Sequence, residues 1–431
     1  MKLAEDEEDL RRIFAEQPIT ETEARVADRV RARLTSLSGR RDGLGAQLRR
    51  AVALGSLVVV LGGIAALAIA LHVGSAARPS PGTSWLSVSG PSGGPFSSIA
   101  CPAANTCWVV GGTTTDRYSA GSWEAVSNSA KSEHGTLDGV VCVTAADCWA
   151  VGSHFAVLPD NNDGVVQPLI EQFNGVDFAA VNGPHVSGDA DGLQSVTCLD
   201  AGDCWAVGSF GANSENGGDG ILHPLIEHFD GDTWTVASNP GSSLNAQLYG
   251  VDCVAADECW AVGGNPSGPL IEQYAGDSWT VSGGVAVDSS GTLGGVTCIG
   301  ADDCWAVGST GGGDTQQPLV LRYQGGSWTA VSSPHIDAVN GGALSGIACA
   351  TANRCWAAGA AQGPLYDLVG TPPPDTIPAL LEEYSDGGWD VVEGQPIGLL
   401  SGITCTTSSA CWAVGTTGTG ATLVETTGPT N

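Results

Sequence analysis

Apolar and polar positions alternate with a period of two through most of the chain, in short runs broken by Gly, Asp or Asn. Residues 193–236 are a specimen: LQSVTC, a five-residue turn, CWAVG, a variable stretch, PLIEHF, a Gly-containing turn, then WTV. Runs of this length and period predict four half-buried strands joined by turns. The same four-part phrase returns seven times, its cysteine pair recurring every 41 to 56 residues, so the chain is an array of one supersecondary module. Seven four-stranded antiparallel sheets that bury their faces on one another predict an all-β, seven-bladed β-propeller over residues 82–431.

The aromatic positions support this count. Trp108, Trp149, Trp205, Trp260, Trp305, Trp356 and Trp412 follow the second cysteine of each repeat, in the predicted second strand. The fourth-strand slot holds Trp123, Phe178, Trp234, Trp279, Trp328 and Trp389, one short of seven, because the last repeat runs out at Gly428. The missing piece stands at the other end: GTSW (82–85) matches GDTW (231–234) and GDSW (276–279). The chain is therefore expected to close its ring with an N-terminal strand, residues 85–88, in the last blade.

This arrangement resembles the seven-bladed propellers that close by a terminal strand, as in WD40 proteins. The Gly-x-x-Trp turn before the fourth strand is similar to part of the Asp-box (BNR) repeat, and the CW-A-V-G and LIE phrases look like secreted cysteine-repeat proteins of actinobacteria. The resemblance implies the architecture; it implies no particular activity.

One segment breaks the pattern. Ala51 to Val73 is an uncharged, apolar run of 23 residues, long enough for a tilted bilayer-spanning helix. Arg40, Arg41, Arg49 and Arg50 precede it while Arg78 stands alone after it, which predicts a cytoplasmic N-terminus and an extracellular propeller. The expected organisation is a cytosolic juxtamembrane segment at 1–50, a single span at 51–73, a linker at 74–81 and the propeller. A competing reading is a signal peptide cut after Ala77. Within 1–50, Thr20 and Glu23 form a capping box ahead of Val26, Val30 and Leu34, a short helix that would suit a cytosolic partner.

All fourteen cysteines lie beyond the apolar run, as Cys101/Cys107, Cys142/Cys148, Cys198/Cys204, Cys253/Cys259, Cys298/Cys304, Cys349/Cys355 and Cys405/Cys411. An even count at one spacing, on the outer side of a membrane, predicts seven local disulfides. Charge narrows the partners. The net charge is -30, and with eleven of the 16 basic residues before residue 51, the rest of the chain has five against 36 acidic. Such a surface excludes nucleic acid, whose binding depends on Lys and Arg.

Recurrence in every repeat argues for construction. A third-strand acid recurs as Asp116, Glu171, Glu227, Glu272, Glu382 and Glu425, with Leu321 as the exception, and is read as an acceptor between blades. Sialidase-like chemistry would need clustered arginines, whereas Arg117, Arg322 and Arg354 are set apart in the pattern. Variation argues for recognition. The connections between second and third strands vary in length, and with the links between blades they define one variable face. Its long loops are 153–167, 209–223, 309–317 and 360–377. Asp160, Asp163, Asp189, Asp191, Glu215, Asp219, Tyr366, Asp367 and Asp375 are its candidate binding residues. Carboxylates with Asn and Gly nearby suit calcium, although no EF-hand spacing occurs and no cofactor is otherwise implied. His134, His154, His185, His223 and His335 fall on the same face.

The expectation is a membrane-anchored extracellular propeller acting as a non-enzymatic recognition or scaffolding module for a protein or glycan. The alternatives are a transmembrane sensor signalling through residues 1–50 and an extracellular polysaccharide hydrolase or lyase.

Overall fold

The computed structural model describes residues 85–427, apart from 133, 158–163, 185–190, 212–219, 283–290, 312–315, 335–340, 362–377 and 393–394. The described strands form seven four-stranded antiparallel sheets, each built from consecutive strands except the last. Blade one is typical: Ser98–Ala103, Thr106–Gly111, Thr114–Ser119 and Ser122–Val126 pair in order. Blades two to six occupy 136–180, 192–236, 247–281, 291–331 and 342–391. Blade seven takes three strands from 398–426 and its fourth from Leu86–Ser87, which pairs antiparallel with Thr422–Thr426 in the register Leu86↔Thr426 and Ser87↔Glu425. The Val88 N–H donates to the Val424 carbonyl at 3.0 Å and extends the ladder. The ring thus closes through its N-terminal strand, as the missing seventh tryptophan required.

The first strand of each repeat packs beside the first strands of both neighbours around the axis. A small residue is needed there. Ser98, Gly139, Ser195, Gly250, Gly295, Gly346 and Gly402 hold one slot, and a Cβ at Gly139 would come within 2.9 Å of the Gln194 carbonyl oxygen, one at Gly402 within 3.0 Å of that of Ser97. The glycine ending each CWAVG phrase has a similar cause, since a Cβ on Gly152 would sit 1.9 Å from the Thr136 carbonyl oxygen of the first strand.

Tryptophan locks each blade to the next. Trp149 lies 4.9 Å from Phe229 and 5.4 Å from Trp234, ring centroid to centroid, and Trp260 stands likewise at 4.6 Å from Tyr323 and 5.2 Å from Trp328. The tilted and edge-to-face geometries are those favoured by ring quadrupoles. Both partners come from the third and fourth strands of the following blade, so one repeated residue type builds every seam.

All seven cysteine pairs are disulfide-bonded within their own repeats, with Cα atoms 3.9 to 4.0 Å apart across the first and second strands. The two halves of each bridge differ in burial. Cys101, Cys142, Cys198, Cys253, Cys298, Cys349 and Cys405 are half-buried, whereas Cys107, Cys148, Cys204, Cys259, Cys304, Cys355 and Cys411 are each 0% exposed. The second cysteines are therefore core residues and are not to be counted with the candidate site. Cys148 packs beside Trp108 and Phe173, Cys304 beside Trp260 and Trp328, and Cys355 beside Trp305 and Trp389; Cys107 and Cys259 lie in the matching clusters with Trp412 and Trp205. The reason is strand alternation: each second cysteine opens the innermost-packed run of its blade, on the face pressed against the preceding sheet, so its sulfur is sealed from any ligand.

The expected loop at 153–167 is for the most part a hairpin. Asp147–Val157 and Gly164–Phe173 continue their pairing out to Val157↔Gly164, because Phe155, Val165 and Val166 extend the strand alternation. The loop at 209–223 shortens at both ends in the same way, through Ser209↔Pro224 and Gly211↔Leu222. Among the described residues no helix is long and apolar enough to cross a membrane. The segments 1–50, 51–73 and 74–81 lie outside the described residues.

Candidate binding face and axial channel

The blade geometry separates two faces and an axis. On the face of the cysteine turns, the residue before the second cysteine sits near the residue after the third-strand acid. Three blades make an ion pair of them: Asp203 with His228 at 2.9 Å, Asp303 with Arg322 at 2.9 Å, and in reversed polarity Arg354 with Glu383 at 2.8 Å. The basic member also covers its own blade's tryptophan, with His228 stacked at 4.1 Å on Trp205, and Arg322 and Arg354 lying 4.6 and 5.2 Å from the ring centroids of Trp305 and Trp356. Arg117 does the same 5.3 Å over Trp108. Each arginine is thus held on a different blade, and the three do not form a clamp.

The third-strand acids are buried between sheets. In several blades the carboxyl meets the chain arriving from the preceding blade. Ser333 donates its hydroxyl to both oxygens of Glu382 at 2.9 and 2.8 Å, a Cβ on Gly241 would lie 2.0 Å from Glu272 Oε1, and one on Gly93 would lie 3.4 Å from Asp116 Oδ2. Burial disfavours the charged form. It raises the Glu227 carboxyl to about 8, with the negative charge of Asp191 adding to the effect, and those of Glu272 and Glu382 to about 7, the Ser333 hydroxyl opposing the shift at Glu382. Asp116 and Glu425 are raised by the same cause. One acid at the same third-strand slot in every blade but the fifth, each sealed in its own interior, is a set of construction groups. It does not supply the two carboxyls flanking a cleft that glycoside hydrolysis uses.

Of the nine candidate residues on the variable face, Asp191 alone is described. It is 1% exposed, and its carboxylate accepts the Gly211 N–H at 3.0 Å and the Gln167 side-chain amide at 3.3 Å, tying the incoming link to blades two and three. This carboxylate is used up inside the fold. Asp160, Asp163, Asp189, Glu215, Asp219, Tyr366, Asp367 and Asp375 lie outside the described residues, as do His185 and His335. His154 stands opposite Gln167 in blade two, and His223 opposite Phe210 in blade three. Among the described residues no group of three or more His, Cys, Asp or Glu is arranged to hold a metal ion.

A feature not apparent from the repeat pattern lies on the axis. In blades two to seven the pairing of first and second strands shifts register just after a leucine, as at Leu137/Gly139 and Leu248/Gly250, which leaves one extra residue on the inner strand. Ser97 takes the equivalent place in blade one. Such bulges re-aim a side chain. The bulged residues Gln194, Tyr249, Gly294, Ser345 and Ser401, with Ser97, border an axial cavity of about 170 Å³, which the adjacent Gly/Ser and Val/Ile slots complete. Among the described residues no Lys, Arg, Asp or Glu lines it. Asp138 holds the slot in blade two, its carboxylate bonded by the Thr136 hydroxyl and raised in pKa by burial.

No family model matches the chain, and no curated protein is detectably similar to it. Solved structures are similar in fold. YCF48 bound to D1 peptide aligns with TM-score 0.50 and 12% identity, over 79% of this chain and 94% of that one. The WD40 β-propeller domain of Doa1 aligns with TM-score 0.49 and 9% identity, over 79% and 95%. The GH74 xyloglucanase from Xanthomonas campestris aligns with TM-score 0.50 and 13% identity, over 77% of this chain and 53% of that one. At these identities the likeness concerns architecture: the protein is a seven-bladed β-propeller with WD40-like structural neighbours.

Proposed function

We propose that the chain is a membrane-anchored propeller displayed outside the cell, which acts by recognition or scaffolding and without catalysis. The observation that carries this reading is the contrast between the buried, blade-by-blade acids and the unequal connections on the opposite face to the cysteine turns. Invariant groups serve the scaffold there, and variation is confined to loops held on a rigid frame. Anchoring rests on the apolar run 51–73 with its preceding arginines, and the extracellular location on that topology together with the exclusive use of cysteine beyond it. The Asp-box-like turns and the likeness to secreted cysteine-repeat proteins belong to the same proposal. The partner is an extracellular protein or glycan, and Asp160, Asp163, Asp189, Glu215, Asp219, Asp367 and Asp375 give the variable face oxygen ligands for a bridging calcium.

The test is a glycan array probed with the purified full-length chain, with calcium and with chelator, beside an assay for reducing ends released from the polysaccharides that bind. Saturable binding without product is expected. Shortening 360–377 to the length of the blade-one connection should weaken a ligand of this face with little change in melting temperature, since a surface loop adds little to stability. Release of reducing ends or unsaturated products would replace this reading with the hydrolase or lyase.

A further inference from the structure

The axial cavity has a composition at odds with its surroundings. The chain beyond residue 50 holds 36 acidic residues against five basic, yet among the described residues no charged side chain lines the channel. Its walls offer the hydroxyls of Ser97, Ser345 and Ser401, the amide of Gln194 and the phenol of Tyr249. Tyr249 donates its hydroxyl to Gln247 Oε1, which fixes the ring's orientation. The next slots in sequence are small residues and then Val or Ile, whose side chains pack into the blade cores and leave the lining mainly polar. Hydroxyl and amide groups around one aromatic ring match a ligand with hydroxyls on its edge and C–H groups on its faces.

The repeats themselves mark this slot. On one side of the bulge every blade has Leu, or Phe96 in blade one; on the other every blade has Gly or Ser, then Val or Ile. Between those uniform positions the bulge residue runs Ser97, Asp138, Gln194, Tyr249, Gly294, Ser345, Ser401. A purely architectural slot would be as uniform as its neighbours, because the same packing problem recurs in each blade. Divergence at the inner slot that borders the axial cavity in every blade but the second, where Asp138 is bonded by Thr136 and does not line it, breaks the seven-fold repeat where a single ligand would sit. About 170 Å³ holds on the order of five waters, too little for an extended chain and suited to one ring.

We infer that the axial channel is a binding site for a neutral polyhydroxylated ring, a free monosaccharide or the terminal sugar of a glycan. The inference rests on the recognition reading above and names a different part of the molecule for it. Gln194, Tyr249 and the channel serines supply the hydrogen bonds, and the Tyr249 ring the apolar face.

The full-length chain, purified in a detergent without a sugar headgroup, is titrated with glucose, galactose, mannose, xylose, arabinose and N-acetylglucosamine by calorimetry and saturation-transfer NMR. At least one should bind saturably, and oligosaccharides ending in that ring should bind too if the source is a glycan; binding of the free sugar alone assigns the site to a monosaccharide. Gln194→Ala and Tyr249→Ala should each weaken binding about tenfold, the effect of losing one hydrogen-bonding partner to the ligand. Ser345→Phe, which fills the channel, should abolish it. If Ser345→Phe does not fold, the exposed Gln194 decides the matter, since its truncation leaves the strand pairing intact. Failure of every sugar to bind overturns the inference. So does binding that is unchanged in the channel variants and lost on shortening 360–377, a result that would keep the recognition reading and move it to the loops.

Discussion

The indole of Trp85 meets that of Trp356 edge to face, with ring centroids 6.4 Å apart and planes at 73°. Trp85 immediately precedes the closing strand, and Trp356 belongs to blade six. At the other seams the second-strand tryptophan faces two aromatic residues, as Trp305 faces Tyr384 and Trp389. Here the third-strand slot is Thr427, whose N–H donates to the Cys411 carbonyl at 3.1 Å, so Trp85 stands without the second ring.

The closing seam should therefore depend on this one ring. Trp85→Ala should destabilise the propeller by about 2 kcal/mol or more, below the ~3–5 of a fully buried tryptophan because Trp85 is half-buried. Deleting residues 80–90 should go further, exposing the edge of Thr422–Thr426 to other chains and giving aggregation on size-exclusion chromatography. A deletion variant that melts and elutes like the intact chain would mean that the ring holds without its terminal strand.

Glu383 is 1% exposed, and Arg354 bonds it at 2.8 Å. Removing the arginine alone would leave a buried carboxylate unpaired, so Arg354→Ala should cost about 3 kcal/mol in a denaturant titration. The double variant Arg354→Ala/Glu383→Gln should recover most of that loss. Equal destabilisation in both would show that Arg354 acts by covering Trp356 and that its charge is incidental.

The bridges are local, one per blade, each linking adjacent strands. Peptide mapping without reductant should find linked pairs within repeats only. Replacing Cys198 and Cys204 together by Ala should lower stability by about 2 kcal/mol, the entropy of closing so short a loop, with a further loss from the buried sulfur of Cys204. Crosslinks between blades would contradict the strand register Cys198↔Cys204.

Acid should stabilise this protein. The folded state holds Glu227 at about 8 and Glu272 and Glu382 at about 7, all above the ordinary 4.5. Between those values the native chain keeps protons that the unfolded chain has released. The stability they contribute is complete below about pH 4.5 and is lost as the pH rises through 7 and 8. Melting temperature should accordingly be higher at pH 5 than at pH 8.5, and Glu227→Gln/Glu272→Gln/Glu382→Gln should flatten that slope. A melting temperature that rises over the same interval would mean the three carboxyls are ionised in the fold.

The period-two runs, the seven tryptophans after the second cysteines and the missing fourth strand were enough by themselves to determine seven blades, local disulfides and closure by residues 85–88. Those features depend on alternation and spacing along the chain, which strand geometry converts directly into faces and pairs. The recurring acid was legible as a building element for the same reason. The unequal burial of the two sulfurs in each bridge, as at Cys298 and Cys304, was not, since it depends on the neighbouring sheet that covers the second one. Asp191 was equally hidden, because an acidic link residue between Ala190 and Gly192 reads as solvated until the tertiary structure folds it beneath Gly211 and Gln167. Nor could the sequence show that Gln194, Tyr249 and Ser401, far apart in the chain, share one cavity. An extra residue in a strand leaves no mark on local hydrophobicity, and only the radial packing of seven inner strands turns those bulges toward a common axis.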